Sequence, residues 1–311
     1  MIEELERLER LAATDLEARM AWVRALKRNC DPRARLIELT IESGESQWKE
    51  LCKLRNDFPE EDKIAAIAWL NPLLSHWKKL DLNQTYMHDV SAVAFLTNLT
   101  TLSLSRTQVS NVSALATLTN LEDLNLEFTQ VSDVNPLRSL TNLTTLSLSR
   151  TQVSNVSALA TLTNLEDLNL RGTEVSDISA LAALTNLTTL NLSGTLVSDV
   201  SALAALINLT TLNLGFTQVS NVNPLRSLTN LATLHLYNTQ VSDIGALASL
   251  TSLTALDLKN TQVSNVRYLA SLTNLIDLNL SRTPLSMVSK VNKQQIEALQ
   301  KKLPQCKIIQ R

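Results

Sequence analysis

The stretch Leu99–Asn120, which reads LTTLSLSRTQVSNVSALATLTN, recurs with small changes every 22 residues over about two thirds of the 311-residue chain. A fixed period of 20–50 residues predicts a solenoid, in which each repeat contacts only its neighbours. The sequence therefore predicts an elongated array without a single globular core. One leucine position shows the regularity: Leu80, Leu102, Leu124, Leu146, Leu168, Leu190, Leu212, Leu234, Leu256 and Leu278.

The spacing within one repeat predicts its local structure. Leu102 and Leu104 alternate with polar residues, which predicts a short strand with one buried face. Val112, Leu115 and Leu118 lie three residues apart, a spacing that suits a 3-10 turn, since 22 residues leave little room for a full helix. The predicted buried set has seven apolar positions in each repeat: Leu99, Leu102, Leu104, Val109, Val112, Leu115 and Leu118.

The pattern L-x-x-L-x-L-x-x-T-x-V resembles that of the leucine-rich repeat family. With its period of 22 and its V-S-D/N-V continuation, it is similar to the short, internalin-like bacterial class. This resemblance implies an α/β solenoid with a parallel sheet on the concave face, turns or 3-10 segments on the convex face, and capped ends. It also implies a protein-binding role. Thr107 stands where most such repeats carry Asn, and its hydroxyl is expected to bond the backbone of the turn, in a ladder along the array.

The N-terminal block differs from the repeats in composition, since all four Trp precede residue 78. Helical spacing of its apolar residues predicts a bundle of short helices. The strings DPRARLIELT (Asp31–Thr40) and AWLNPL (Ala68–Leu73) resemble a helical module that precedes leucine-rich repeats in some myxobacterial and planctomycete proteins. We expect residues 1–78 to form a helical cap over the open end of the array, and a separate docking role for this block stays open.

The array itself is expected to span residues 79–285 in ten repeats, followed by a C-terminal cap over residues 286–311. Asn292 is predicted to cap an amphipathic helix containing Ile296, Leu299 and Leu303. Pro304 should stop this helix, and Cys306–Ile309 should add a last strand. The cap carries a net charge of +5, which indicates either a solvated face or a contact with an acidic surface.

Charge and composition exclude several classes of protein. Residues 80–285 contain 8 basic and 14 acidic residues, which argues against nucleic acid as a partner. The sequence has no apolar run long enough to span a membrane, no signal core at its start, and three widely spaced cysteines. We therefore expect a monomer in the cytoplasm, with no membrane partner; secretion as an effector stays open.

Residues that could carry catalysis are sparse. His76, His88 and His235 have no companions at metal-ligand spacing, the five glycines form no phosphate-binding loop, and Cys30 and Cys52 have no His nearby. The sequence predicts no catalytic, cofactor or metal site. The leading hypothesis is a non-enzymatic scaffold that binds a protein. The alternatives are a regulator or secreted effector that binds a host or target protein, and an enzyme that uses the N-terminal block.

Partner specificity is expected from exposed strand positions, because the buried positions barely change between repeats. Residues 96–126 and 140–170 are even identical over 31 positions. Exposed aromatic and Arg side chains are the usual anchors of protein interfaces, although Phe128 and Phe216 could also fold back on the turn of the next repeat. The candidate partner-binding residues on the concave face are Arg106, Asp123, Glu127, Phe128, Arg150, Asp167, Arg171, Phe216, His235, Tyr237, Asp257 and Lys259.

Overall fold

The computed structural model describes residues 77–84, 87–286 and 290–310. This part of the chain forms one sheet of eleven strands, all parallel and in sequence order. The register places each central leucine beside the next, so that Leu102 is opposite Leu124, and Leu124 opposite Leu146. The strands β1–β11 span Lys79–Asp81, Thr101–Ser103, Asp123–Asn125, Thr145–Ser147, Asp167–Asn169, Thr189–Asn191, Thr211–Asn213, Thr233–His235, Ala255–Asp257, Asp277–Asn279 and Lys307–Ile309.

A 3-10 segment follows each of the strands β1–β10, as the spacing of Val112, Leu115 and Leu118 predicted. An Asn or Asp two residues before each of the first nine segments closes its first turn. For example, the backbone N–H of Ser113 donates to Oδ1 of Asn111 at 2.9 Å. This bond explains the alternation of Asn and Asp in the V-S-D/N-V motif, since both side chains offer the acceptor. The segments span Ser91–Phe95, Ser113–Thr117, Asn135–Ser139, Ser157–Thr161, Ser179–Ala183, Ser201–Ala205, Asn223–Ser227, Gly245–Ser249, Arg267–Ser271 and Pro284–Ser286.

The core runs between the sheet and the 3-10 segments as one continuous apolar layer. The seven apolar positions predicted from Leu99–Asn120 are all buried, none of them more than 1% exposed. Each of the strands β2–β9 has a buried middle residue between two half-buried ones. No repeat could bury these side chains alone, and stacking supplies the cover. The predicted solenoid is confirmed.

The recurring threonine bonds its own turn, as predicted. The Thr107 hydroxyl donates to the Leu104 carbonyl at 2.7 Å, and Thr151 bonds Leu148 in the same way at 2.6 Å. Each bond stays within one repeat, and the predicted ladder is the series of equivalent bonds that recurs from turn to turn along the array. Side-chain bonds between repeats come from elsewhere; the amide of Asn120, for instance, donates to the Thr97 carbonyl at 2.9 Å.

A helix, α1 (Lys290–Lys302), and strand β11 close the C-terminal end. The helix, its end before Pro304 and the added strand were all predicted. The predicted cap was wrong: Asn292 lies inside the helix, because the helical backbone already begins at Lys290. Its amide instead donates to the Pro284 carbonyl at 2.9 Å and ties the helix to the last 3-10 segment.

The predicted helices of the N-terminal block, with Cys30, Cys52 and His76, lie outside the described residues, as does Thr85. The helical cap over the first strand is therefore an expectation from the sequence alone. Within the described ranges, no helix is long and apolar enough to cross a membrane.

Candidate functional site

One variable row on the surface of the array consists of turn residues just after the strands, and we call it the turn row. Its members stand four positions after the central leucine of each strand, and their backbone is left-handed, with φ between 53° and 71°. Backbone bonds continue between these turns; for example, the Arg106 N–H donates to the Glu127 carbonyl at 2.8 Å. The turn row consists of Gln84, Arg106, Phe128, Arg150, Gly172, Gly194, Phe216, Asn238, Asn260 and Arg282.

The turn row corrects the sequence-based placement of the candidate residues. Each strand is only three residues long, and a left-handed residue cannot continue it. Asp123, Asp167, His235 and Asp257 lie on strands as expected. The other candidates lie in the turns beyond the strands: Arg106, Glu127, Phe128, Arg150, Arg171, Phe216, Tyr237 and Lys259.

The backbone of the turn row favours glycine, yet most members are not glycine. A left-handed conformation costs an ordinary residue about 1–2 kcal/mol, and bulky side chains are rare there. Phe128 and Phe216 nevertheless occupy it, with 44% and 62% of their surface exposed. Backbone strain combined with apolar exposure is a feature of functional positions.

Three aromatic rings meet near the C-terminal half of the turn row. The Phe216 and Tyr237 rings pack edge to face with centroids 5.4 Å apart, and His235 lies 6.1 Å from Tyr237. A Cβ atom at Gly215 would lie 2.3 Å from the Tyr237 ring, so only glycine leaves room for that ring. Phe216 thus contacts the turn of the next repeat and still stays exposed. We call Phe216, His235 and Tyr237 the aromatic cluster.

The arginines of the turn row have contrasting neighbours. The Arg106 guanidinium lies over the Phe128 ring, 4.7 Å from its centroid. Arg150 instead lies over Gly172, where a Cβ would be 2.9 Å from Arg150 Cδ and 3.6 Å from Cζ. Arg171 is exposed and directly precedes Gly172. In the described part of the chain, none of these arginines has a carboxylate within 4.0 Å.

The acidic candidates on the strands have different environments. Asp123 and Asp167 lie on β3 and β5, on either side of β4, and both are half-buried. Burial, and next the charge of Asp123, raise the pKa of Asp167. Asp257 has a structural task, since its Oδ1 accepts the backbone N–H of Lys259 at 2.9 Å and closes the turn.

Sequence reasoning missed the three glycines at Gly172, Gly194 and Gly215. They were discounted because they form no phosphate loop, yet three of the five glycines in the chain fall in successive turns. That clustering was a usable signal for an open stretch in the turn row. Among the described residues, no three His, Cys, Asp or Glu side chains form a group that could hold a metal ion.

Comparisons with known proteins agree with this geometry. A family model described as leucine-rich repeats in two copies matches six overlapping or adjacent stretches, whereas a search of curated proteins finds no match. The matched residues are 97–139, 141–183, 163–205, 185–227, 207–249 and 229–271.

Among solved structures, the chain is similar to internalin C2 of Listeria monocytogenes. The two are 39% identical over 60% of this chain and 82% of that chain, with a TM-score of 0.58. A second Listeria monocytogenes internalin, InlF, shares the fold at 22% identity, covering 82% of this chain and 90% of its own, with a TM-score of 0.61.

A plant structure is also similar. It is the leucine-rich repeat ectodomain of the membrane receptor kinase GASSHO1/SCHENGEN3 from Arabidopsis thaliana, in complex with Casparian strip integrity factor 2. Identity is 25%, covering 66% of this chain and 27% of that chain, and the TM-score is 0.59.

Proposed function

The chain belongs to the leucine-rich repeat family, in its internalin-like class, and from this premise we propose that it is a non-catalytic scaffold that binds a protein. The proposed contact surface is the exposed, concave face of the sheet together with the turn row. The observation that carries the proposal is the exposure of Phe128 and Phe216 on strained backbone, at positions where glycine would be more stable.

The contrast between the two sides of each repeat supports this function. The apolar positions and the recurring threonine are nearly invariant because stacking requires them. The turn row varies along the array among Gln, Arg, Phe, Gly and Asn, and packing with the core requires none of these side chains. Aromatic and Arg side chains at exposed positions are frequent anchors of protein interfaces. The plant ectodomain, crystallised in complex with Casparian strip integrity factor 2, gives a precedent for the fold and not for the partner.

The test is affinity capture with the intact protein, followed by affinity measurement with a double variant, Phe216→Ala with Tyr237→Ala. Truncating two adjacent anchors should weaken binding of the captured partner about tenfold or more. The melting temperature should fall by only a few degrees, because Phe216 is largely exposed. Unchanged affinity would refute the role of the aromatic cluster.

A matched control is available in the same region. Ile207 is 54% exposed but precedes strand β7, whereas Phe216 follows it. Ile207→Ala therefore removes a similar exposed apolar side chain away from the turn row. We expect wild-type affinity from this variant, and a loss equal to that of the double variant would indicate a non-specific effect.

The division into an N-terminal cap (1–78), an array (79–285) and a C-terminal cap (286–311) is part of the proposal, as are a monomeric state and a cytoplasmic location. The buried apolar residues of α1, Ile296 and Leu299, support a capping role for the C-terminal segment. Light scattering of the full chain tests the monomer, and fractionation of the source cells tests the location.

A further inference from the structure

A short open stretch of the turn row separates two cations from the aromatic cluster. Arg150 lies over Gly172, and Arg171 directly precedes that glycine, so two arginines that have no carboxylate within 4.0 Å among the described residues flank one turn. The next turn holds Gly194, where an added Cβ would meet only backbone atoms of Gly172, at 3.7 Å. The turn after that holds Phe216 against Tyr237. We call the surface from Arg150 to Tyr237 the binding notch.

The charges indicate what the cationic end of the notch accepts. A guanidinium group prefers a carboxylate or phosphate, which it can bind through two parallel hydrogen bonds. A polyanion is disfavoured, because three half-buried carboxylates lie close to the notch and the array is acidic overall. Asp123 and Glu127 lie in the repeat before that of Arg150, and Asp167 lies in the same repeat as Arg171. A ligand with a single carboxylate next to apolar side chains fits both the two guanidinium groups and the acidic surroundings.

The dimensions indicate the spacing within the ligand. From the turn of Gly172 to that of Phe216 there are two steps between adjacent strands, or about 10 Å at the usual separation. An extended polypeptide advances about 3.1–3.4 Å per residue, so the turns of Gly172 and Phe216 lie about three ligand residues apart. The Gly194 gap is one turn wide, which suits a single extended chain and not a folded surface.

We propose that the partner enters the binding notch as an extended segment with an Asp or Glu side chain against Arg150 and Arg171, and an aromatic or large aliphatic side chain, two to four residues away, against Phe216 and Tyr237. The inference rests on the protein-binding function proposed above. It adds the chemistry and spacing of the bound segment, which depend on residues in five successive turns, those after β4–β8.

Selection from a random library of linear 12-residue peptides, displayed on phage and panned on the full chain, tests the proposal. We expect enriched peptides to pair Asp or Glu with an aromatic or large aliphatic residue two to four positions away. Arg150→Ser with Arg171→Ser should abolish the acidic preference and keep the apolar one; Phe216→Ala with Tyr237→Ala should do the reverse. Arg138→Ser with Arg226→Ser, two arginines of the 3-10 segments, is the control and should select as wild type does.

A second variant tests the notch itself. Gly194→Asn fills the gap with a residue that the same backbone tolerates at Asn238 and Asn260. One enriched peptide, labelled with fluorescein, should bind this variant about tenfold more weakly by anisotropy, while the melting temperature stays within a few degrees.

The results that would overturn the extended-segment proposal differ from those that would overturn the protein-binding proposal. Selection of no peptide, of peptides without the paired residues, or of acidic peptides that still bind after Arg150 and Arg171 are replaced would overturn the extended-segment proposal. None of these results touches the protein-binding role, which fails only if capture and affinity measurements find no partner that depends on the aromatic cluster.

Discussion

Residues 96–126 and 140–170 have the same sequence over 31 positions, yet their exposed arginines have different surroundings. Arg106 lies over the Phe128 ring of the following repeat. Arg150, at the same position in the other copy, lies over Gly172. The buried leucines of the two copies are indistinguishable, each fully covered.

The difference shows that an exposed residue in this array is defined by its neighbour 22 positions later and not by its own repeat. Copying a repeat reproduces its core contacts, whereas its surface contacts depend on the next repeat along the chain. The surface contacts of the array therefore depend on the order of the repeats and not on their composition alone.

The largest effect should come from the buried positions, where the two copies must behave alike. Leu102→Ala and Leu146→Ala each remove a fully buried side chain and should each lower the free energy of unfolding by about 3–5 kcal/mol. Urea unfolding followed by circular dichroism measures both. A difference well above about 1 kcal/mol, the usual size of one hydrogen bond, would contradict the equivalence of the two cores.

Substitution of the buried threonines should lower the free energy of unfolding by a smaller amount. Thr107→Val and Thr151→Val keep the side-chain shape and remove the hydrogen bond to Leu104 or Leu148. Each should cost about 1 kcal/mol of unfolding free energy, measured in the same urea titration. No loss in either variant would mean that these hydroxyls do not hold the turn.

The turn row should distinguish the two copies. Arg150→Gly relieves the cost of left-handed backbone and should raise the free energy of unfolding by about 0.5–1 kcal/mol. Arg106→Gly gives the same relief but loses the contact with Phe128, which is worth about 0.5–1 kcal/mol at an exposed site, so its net effect should be near zero. Equal gains in the two variants would show that the Arg106 contact contributes nothing.

The smallest effect concerns the Asn or Asp cap of a 3-10 segment, the side chain two residues before the segment that closes its first turn. Asn111 and Asn155 occupy this position in the two copies, and Asp199 occupies it in a later repeat. The Asp199 carboxylate accepts the side-chain hydroxyl and the backbone N–H of Ser201, and these bonds lower the pKa of Asp199. Since the folded pKa lies below the unfolded value, the contribution of Asp199 is complete above the ordinary aspartate pKa of about 3.9 and is lost as the pH falls through the folded pKa.

Asp199→Asn should therefore match wild type at neutral pH and lose less stability than wild type on acidification below about pH 4. Asn155→Asp should introduce the same acid sensitivity into the second copy. Thermal unfolding as a function of pH measures both, and identical pH profiles for all three proteins would rule out this role of the cap.

The core and the repeat architecture could be predicted from the sequence because they depend on local spacing. Val112, Leu115 and Leu118 at intervals of three indicate a 3-10 segment whatever the neighbouring repeats contain. The position of Phe128 could not be predicted in this way, because the alternation of Leu102 and Leu104 does not reveal that the strand ends between them and the turn begins.

Contacts between repeats were also beyond the sequence pattern. The fit of Tyr237 over Gly215 depends on which rotamer the ring adopts, and the stacking of Arg106 on Phe128 depends on residues 22 positions apart. Asn292 has the side chain of a helix cap, but the helix extends further towards its N-terminus and uses the amide for another bond. These features arise from tertiary packing, which the spacing of residues along the sequence does not specify.

The most direct test of the importance of repeat order exchanges two residues of the turn row. The double variant Phe128→Gly with Gly172→Phe has the same amino-acid composition as the wild type. Both proteins have one Phe and one Gly at these two left-handed positions, so the stability should change little. It gives Arg106 a glycine neighbour and Arg150 a phenylalanine, which displaces Arg150 and obstructs the binding notch. Calorimetric titration with the captured partner should show that the affinity is weaker by about tenfold or more. Wild-type affinity in the folded double variant would contradict the conclusion that repeat order determines recognition.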